Sequence, residues 1–254
     1  MNNTLRKEGL NARKLILVSV LGAITVVLGM TPLGFIPLGV INATTMHIPV
    51  IVAGIVEGPV VGALVGLIFG ISSLLNAILK NASPVSFVFY NPLISIVPRV
   101  LIGITSFYAY RSFKNTDTKK IKLLSRIVWT LISTFLIVFF VKGYETMSTA
   151  NKIYMGIFLL ASIFITIYSY FKIDNNFPVV IGAFVGSMTN TILVLGGIYL
   201  IYAKRYMTAL NMPLENARAA ILGVSITSGI PEAILSIIIT TAVVRALKLS
   251  KQIN

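Results

Sequence analysis

Long apolar blocks, separated by short polar or Gly/Pro-containing breaks, run the length of the chain. A membrane-spanning helix needs roughly 20 predominantly apolar residues, fewer where flanking side chains snorkel. On that measure eight helices are expected, at about 14–30, 45–56, 59–79, 92–110, 123–141, 153–171, 177–202 and 220–247. The second block is short, and VEGPV divides it from the third, with Gly58-Pro59 forming a tight turn ahead of a new helix start. The last block is long enough to begin outside the hydrocarbon or to bend at Pro231.

Composition fixes the environment of these helices. Of 254 residues, 56% are hydrophobic and 11% charged, against roughly 25% charged in a soluble domain. The expectation is an all-α polytopic membrane protein, with 1–254 forming a single membrane domain. The basic start MNNTLRKEGLNARK leads into an apolar run without a convincing small-residue cleavage site, so that run reads as a retained first helix. A net charge of +14 would raise nucleic-acid binding in a soluble protein. Here the charges fall mostly between apolar blocks, where topology accounts for them. If the eight helices alternate in direction, 14 of the 21 Lys and Arg residues fall on one side, Arg13, Lys14, Arg111, Lys114 and Arg245 among them. Six, including Lys80, Lys152 and Arg205, fall on the other, and the bias puts both termini in the cytoplasm. The absence of Cys excludes disulfides, thiolate catalysis and cysteine metal sites.

YRSFKNTDTKKIKLLSR reads as a solvated cytoplasmic linker that introduces a hairpin of two apolar runs over 123–171. The hairpin holds few intramembrane polar groups beyond Ser and Thr, which favours a lipid-facing accessory element.

Charged and amide side chains inside hydrocarbon are costly and usually face an interior or a cavity. His47 opens the second helix at the outer side, Asn76 lies in the outer part of the third, and Asn91 and Arg99 belong to the start and middle of the fourth. Asn190, flanked by Ser187, Thr189 and Thr191, and Glu232 fall near the middle of the last two blocks. Arg99 lies on the order of 10 Å below the outer start of its helix. Glu232 would neutralise it as an internal ion pair, or the carboxylate of a ligand would, and one guanidinium can serve both. Asn190 suits either interhelical hydrogen bonding or a polar pocket. For His47, backbone bonding at the membrane surface and a place on a ligand rim both remain open. A metal site is disfavoured because no second His, no Cys and no nearby carboxylate accompanies it. Asn42 and Thr44, beside it in GVINATTMHIPV, are further pocket candidates. Glu57, in the inner EGP turn, reads as a helix-end carboxylate.

Small residues form a second pattern. Ser19 and Ala23 are four apart on the first helix with Gly22 adjacent, a face that another helix can approach closely. Gly58, Gly62, Gly66 and Gly70 repeat every four residues along the third, favouring packing within the chain. No Walker loop, HExxH or GxSxG motif is present, so neither ATP hydrolysis nor a familiar hydrolase constellation is encoded.

FIPLGVINATTMHIPVIVAGIVEGPVVGALVGLIFGISSLLNA, NPLISIVPRVLIGI, GSMTNTILVLGGIYL and GIPEAILSIIITTAVV, in that order, resemble the substrate-binding S components of energy-coupling factor (ECF) vitamin transporters. The pantothenate-type group is the most similar. The resemblance implies a six-helix core, here 14–110 and 177–247, with 123–171 as an inserted two-helix hairpin, making eight transmembrane helices. Being even in number, the insertion preserves the sidedness of the later helices. The resemblance further implies a non-enzymatic, cofactor-free subunit of the cell membrane that captures a vitamin from outside under a lid formed by the loop after the first helix. Such a subunit docks on a transmembrane coupling subunit driven by two ATPase subunits, with Ser19 and Ala23, next to Gly22, at the matching positions of the docking face. A pantothenate-like ligand would place its carboxylate on Arg99 and its amide and hydroxyls on Asn42, Thr44, His47, Asn76, Asn91, Asn190 and Glu232. Pyridoxine-like compounds, folate and cobalamin are the alternative ligands. A hydrolase using Glu232 and His47, and a scaffold binding helices through the glycine faces, are the rival classes.

Overall fold

Prolines and glycines cut the apolar blocks into the observed helices. The computed structural model describes residues 12–38, 41–80, 83–146, 149–171 and 176–249. Helix α1 (Ala12–Met30) is followed by a 3-10 turn (Pro32–Gly34) and an antiparallel ribbon of β1 (Phe35–Leu38) and β2 (Ile41–Thr44), with Phe35 opposite Thr44. Then come α2 (Ile48–Glu57), α3 (Pro59–Lys80), a 3-10 turn (Ser86–Tyr90), α4 (Pro92–Ser95) and α5 (Val97–Lys114). Next comes a hairpin of α6 (Thr118–Gly143) and α7 (Thr149–Phe171). The chain ends in α8 (Phe177–Ala209), α9 (Ala217–Val224), a π-turn (Ser225–Gly229) and α10 (Ile230–Leu249). Six stretches among the described residues are long and apolar enough to cross a membrane: α1, α3, α4–α5, residues 119–138 of α6, α8, and 214–249. The ten-residue α2 and the second hairpin helix α7 are not among them.

Four local features differ from the expectation. The loop after α1 carries a short β-ribbon on an otherwise all-helical chain. The second helix starts at Ile48, not at residue 45, because Pro49 in its first turn favours a start there, and it ends at Gly58, whose φ of +99° no longer fits a helix. The fourth block breaks at Ile96 between Pro92 and Pro98. The last block widens into the π-turn just before Pro231, which lacks the N–H needed to bond four residues back.

The short α2 is the centre of the fold. Residues 48–55 are all buried, and the helix packs against α3, α5, α8 and α10. Being apolar on every side, α2 leaves no polar side chain unpaired by this burial. Around it, Val50, Ile51, Val65, Phe69, Ile102, Val180, Ala183 and Ile237 form one continuous core. The glycine ridge makes this packing possible. A Cβ on Gly62 would stand 2.8 Å from Gly54 Cα and 2.9 Å from Gly103 Cα, and one on Gly70 would stand 2.7 Å from Ile96 Cα. One on Gly66 would collide with the Arg99 carbonyl. The ridge therefore serves contacts of α3 with its neighbours α2, α4 and α5 within the chain. At the opposite end, Glu57 pairs with Arg13 at 3.2 Å, a helix-end carboxylate as expected.

The hairpin coheres mainly through its own polar ladder. Ser133 Oγ donates to Ser162 Oγ (3.2 Å) and lies 2.8 Å from Thr166 Oγ1, while Thr166 Oγ1 lies 3.1 Å from the Trp129 carbonyl. Trp129 is buried with the main core, whereas Leu131, Leu160 and Phe164 are among many exposed apolar side chains.

Replacing Gly103 by Ala should destabilise the protein by about 1–3 kcal/mol through overpacking, because its Cβ would press on the Gly62 backbone. Gly196→Ala, where a Cβ meets open space, should be neutral or slightly stabilising. Thermal unfolding of the two detergent-solubilised variants checks the contrast.

Candidate functional site

The sequence NPLISIVPR builds the site's central feature. Asn91 ends the 3-10 turn and caps α4, its Oδ1 accepting from the Leu93 N–H at 3.0 Å. Pro98, in the first turn of α5, has no N–H, so the carbonyl four residues earlier, that of Ile94, has no helical donor. The Arg99 guanidinium fills that vacancy, with Nη1 donating to the Ile94 oxygen. The helix break thus supplies an acceptor for a buried cation. Phe69 and Phe89 hold the same guanidinium, each ring centroid 5.3 Å from Cζ. Only 6% of Arg99 is exposed, and its Nε has no partner among the described residues.

Glu232 reaches the site from the start of α10. Its Oε1 accepts two hydrogen bonds from Thr44, from the backbone N–H at 2.9 Å and from Oγ1 at 3.1 Å. Thr44 is the last residue of β2, so this carboxylate fastens the ribbon to the helical body. Arg99 and Glu232 feel one another's charge but do not close into an ion pair. The Arg99 charge is therefore not consumed internally.

Both side chains line a cavity of about 710 Å³ under the ribbon. Its walls come from the end of α1, the second half of α3, the middle of α8 and the π-turn. Asn76 and Asn190 line it as well, Asn76 Nδ2 donating weakly to the Gly29 carbonyl at 3.4 Å. Asn190 Oδ1 is buried without a partner among the described residues. Neighbouring Thr189 turns the other way and bonds Thr105 across the α5–α8 seam at 2.9 Å. Of the residues expected at the site, Thr44, Asn76, Arg99, Asn190 and Glu232 thus converge on one space.

Three do not. Asn91 stands behind the wall, its Nδ2 3.5 Å from the Tyr202 hydroxyl. His47 is fully buried rather than on a surface rim, and neither ring nitrogen has a partner among the described residues. The reason is the central position of α2, which carries its first turn into the interior. Only the backbone of Asn42 is described, in β2; its side chain lies outside the described set. Phe69, Phe89, Ser72, Ser73, Thr191 and Ser228 line the cavity too, and none of them is a candidate from sequence. The pair Ser72-Ser73, three residues before Asn76, is the signal that could have found that wall.

On α1, Gly22 faces inward, where a Cβ would stand 2.6 Å from Ile68 Cδ1, while Ser19 and Ala23 are exposed.

A largely apolar cavity with a buried cation and a few amide and hydroxyl groups on its walls, set among membrane-length helices beside the ribbon, fits a solute-binding membrane protein. The chain matches the family model "ECF transporter, substrate-specific component" over residues 13–244, and it belongs to that family. It is the substrate-binding subunit of an ECF transporter, a transport subunit rather than a catalyst, and such subunits work with a transmembrane coupling subunit and ATPase subunits. No curated protein matches the chain.

The Thr44–Glu232 bonds should govern how firmly the ribbon sits. Thr44→Val removes the hydroxyl bond and keeps the backbone one, a loss of about 1 kcal/mol. Amide hydrogen exchange over 41–44 should quicken several-fold while exchange in α2 stays unchanged, as read by mass spectrometry.

Proposed function

We propose that the protein captures a small carboxylate-bearing vitamin, pantothenate before others, from the outer face of the cell membrane. One observation carries this reading: the Arg99 guanidinium lines the cavity, and no carboxylate of the described residues closes into an ion pair with it. Glu232 offsets its charge only from a distance, and a buried charge without a close counter-ion costs several kcal/mol. A ligand carboxylate would supply that counter-ion through a charge-assisted bond. Asn76, Asn190, Thr191 and Ser228 offer the amide and hydroxyl partners that pantothenate's remaining groups require. The carboxylate argument disfavours pyridoxine-like ligands, and a cavity of about 710 Å³ is small for cobalamin. Folate remains the alternative that shares the carboxylate chemistry.

In this reading all eight blocks cross the bilayer, with both termini cytoplasmic and the ribbon as an outward lid. Six apolar stretches of spanning length and the Lys/Arg bias support that topology. Ser19 and Ala23 form the docking face for the coupling subunit, with Gly22 serving instead to seat α1 on α3.

Arg99→Gln should raise the pantothenate Kd about 100-fold or more in calorimetric titration of the purified protein, while an amide analogue of the vitamin loses little. Unchanged affinity for the carboxylate form would remove Arg99 from the site. If small molecules copurifying with the native protein, read by mass spectrometry, contain no carboxylate nutrient, the ligand assignment fails. For the docking face, Ala23→Arg should abolish copurification with the coupling subunit without altering vitamin affinity.

A further inference from the structure

A second cavity, of about 640 Å³, lies at the opposite end of the molecule from the ribbon. Its walls are the start of α1, the α2–α3 turn and the last two turns of α5. Lys14, Arg111 and Lys114 line it, and its one carboxylate among the described residues, Glu57, is already engaged by Arg13. A further cation, Lys248, lies 5.9 Å from the Tyr110 ring centroid and within electrostatic reach of Lys114. Among the described residues, Arg111 and Lys114 beside one neutralised acid give the cavity a positive field. The α2–α3 turn adds to it. Gly58 has open space on its Cβ side, and Pro59 begins the 22-residue α3, whose first N–H groups and positive dipole end lie at the cavity.

The other half of the lining is apolar. Phe107, Tyr110 and Val60 form that wall, Val60 is well exposed, and the Arg111 guanidinium lies over the Phe107 ring at 5.8 Å. Cations beside an apolar wall at the end of membrane helices match the two ends of an amphiphile. Basic pockets between helices on the cytoplasmic side hold anionic lipid headgroups.

We propose that this cavity binds the phosphate of an anionic phospholipid, with Arg111 and Lys114 as its principal contacts. The cytoplasmic placement rests on the topology proposed above; the cavity and its charges do not. The experiment is native mass spectrometry of the delipidated, vitamin-free protein titrated with phosphatidylglycerol, with phosphatidylcholine of the same acyl chains as the neutral arm. Phosphatidylglycerol should be retained and phosphatidylcholine not. Arg111→Gln combined with Lys114→Gln should weaken retention roughly 30-fold, and Lys114→Arg should preserve it. Vitamin affinity of the double variant should be unchanged, since the two cavities share no residue. Equal retention of both lipids, or undiminished retention by the double variant, would overturn the proposal. So would displacement of the lipid by micromolar inorganic phosphate, which would mark a site for the free anion. Loss of coupling-subunit assembly with lipid retention intact would likewise overturn it, in favour of a protein contact.

Discussion

A carbonyl without a donor organises the ribbon end of this protein. Pro98 leaves the Ile94 oxygen unbonded, and the Arg99 guanidinium answers it from the next turn. The two defects, a broken helix and a buried charge, are each costly alone and compensate one another. Backbone holds one nitrogen of the guanidinium, and Phe69 and Phe89 both lie within cation–π distance of it, so the cation on the cavity wall has little freedom. A preorganised cation of this kind binds an anion without first having to be ordered.

Glu232 shows the complementary strategy. A carboxylate so near Arg99 would be expected to quench it, yet its Oε1 is committed to Thr44. Opposite charges are thereby kept in one cavity without collapsing onto each other. The same bonds join the ribbon to α10, so occupancy of the cavity and seating of the ribbon act on one carboxylate.

What could be read from sequence alone was set by what polar and apolar residues cost in a membrane. The apolar blocks located the helices because backbone satisfaction in lipid leaves little alternative. The four-residue glycine repeat foretold close packing, and Arg99, Asn76, Asn190 and Glu232 stood out because amides and charges in hydrocarbon require a reason. Burial was not legible. Lipid and protein interiors are equally apolar, so nothing in IPVIVAGIVE distinguished a central helix from a lipid-facing one, and His47 was expected at a rim rather than inside. Ser72 and Phe69 escaped notice because a serine or phenylalanine in a membrane helix is unremarkable by energy. The ribbon was hidden because FIPL is apolar throughout and INAT spans only four residues, too few for a two-residue alternation to register.

The π-turn at Ser225–Gly229 acts on the phase of the last helix. In a continuous α-helix, residues eight apart drift by about 80° around the axis. Val224, Ser228 and Glu232 are spaced by four and nevertheless line one cavity. A wider turn between them takes up that drift, as an added tooth in a gear corrects its timing. The site is accordingly bound to the count of residues in this segment as much as to their identity. The same residues wound as a plain α-helix through this segment would carry every cavity side chain and still turn Glu232 about 80° off the face it shares with Val224.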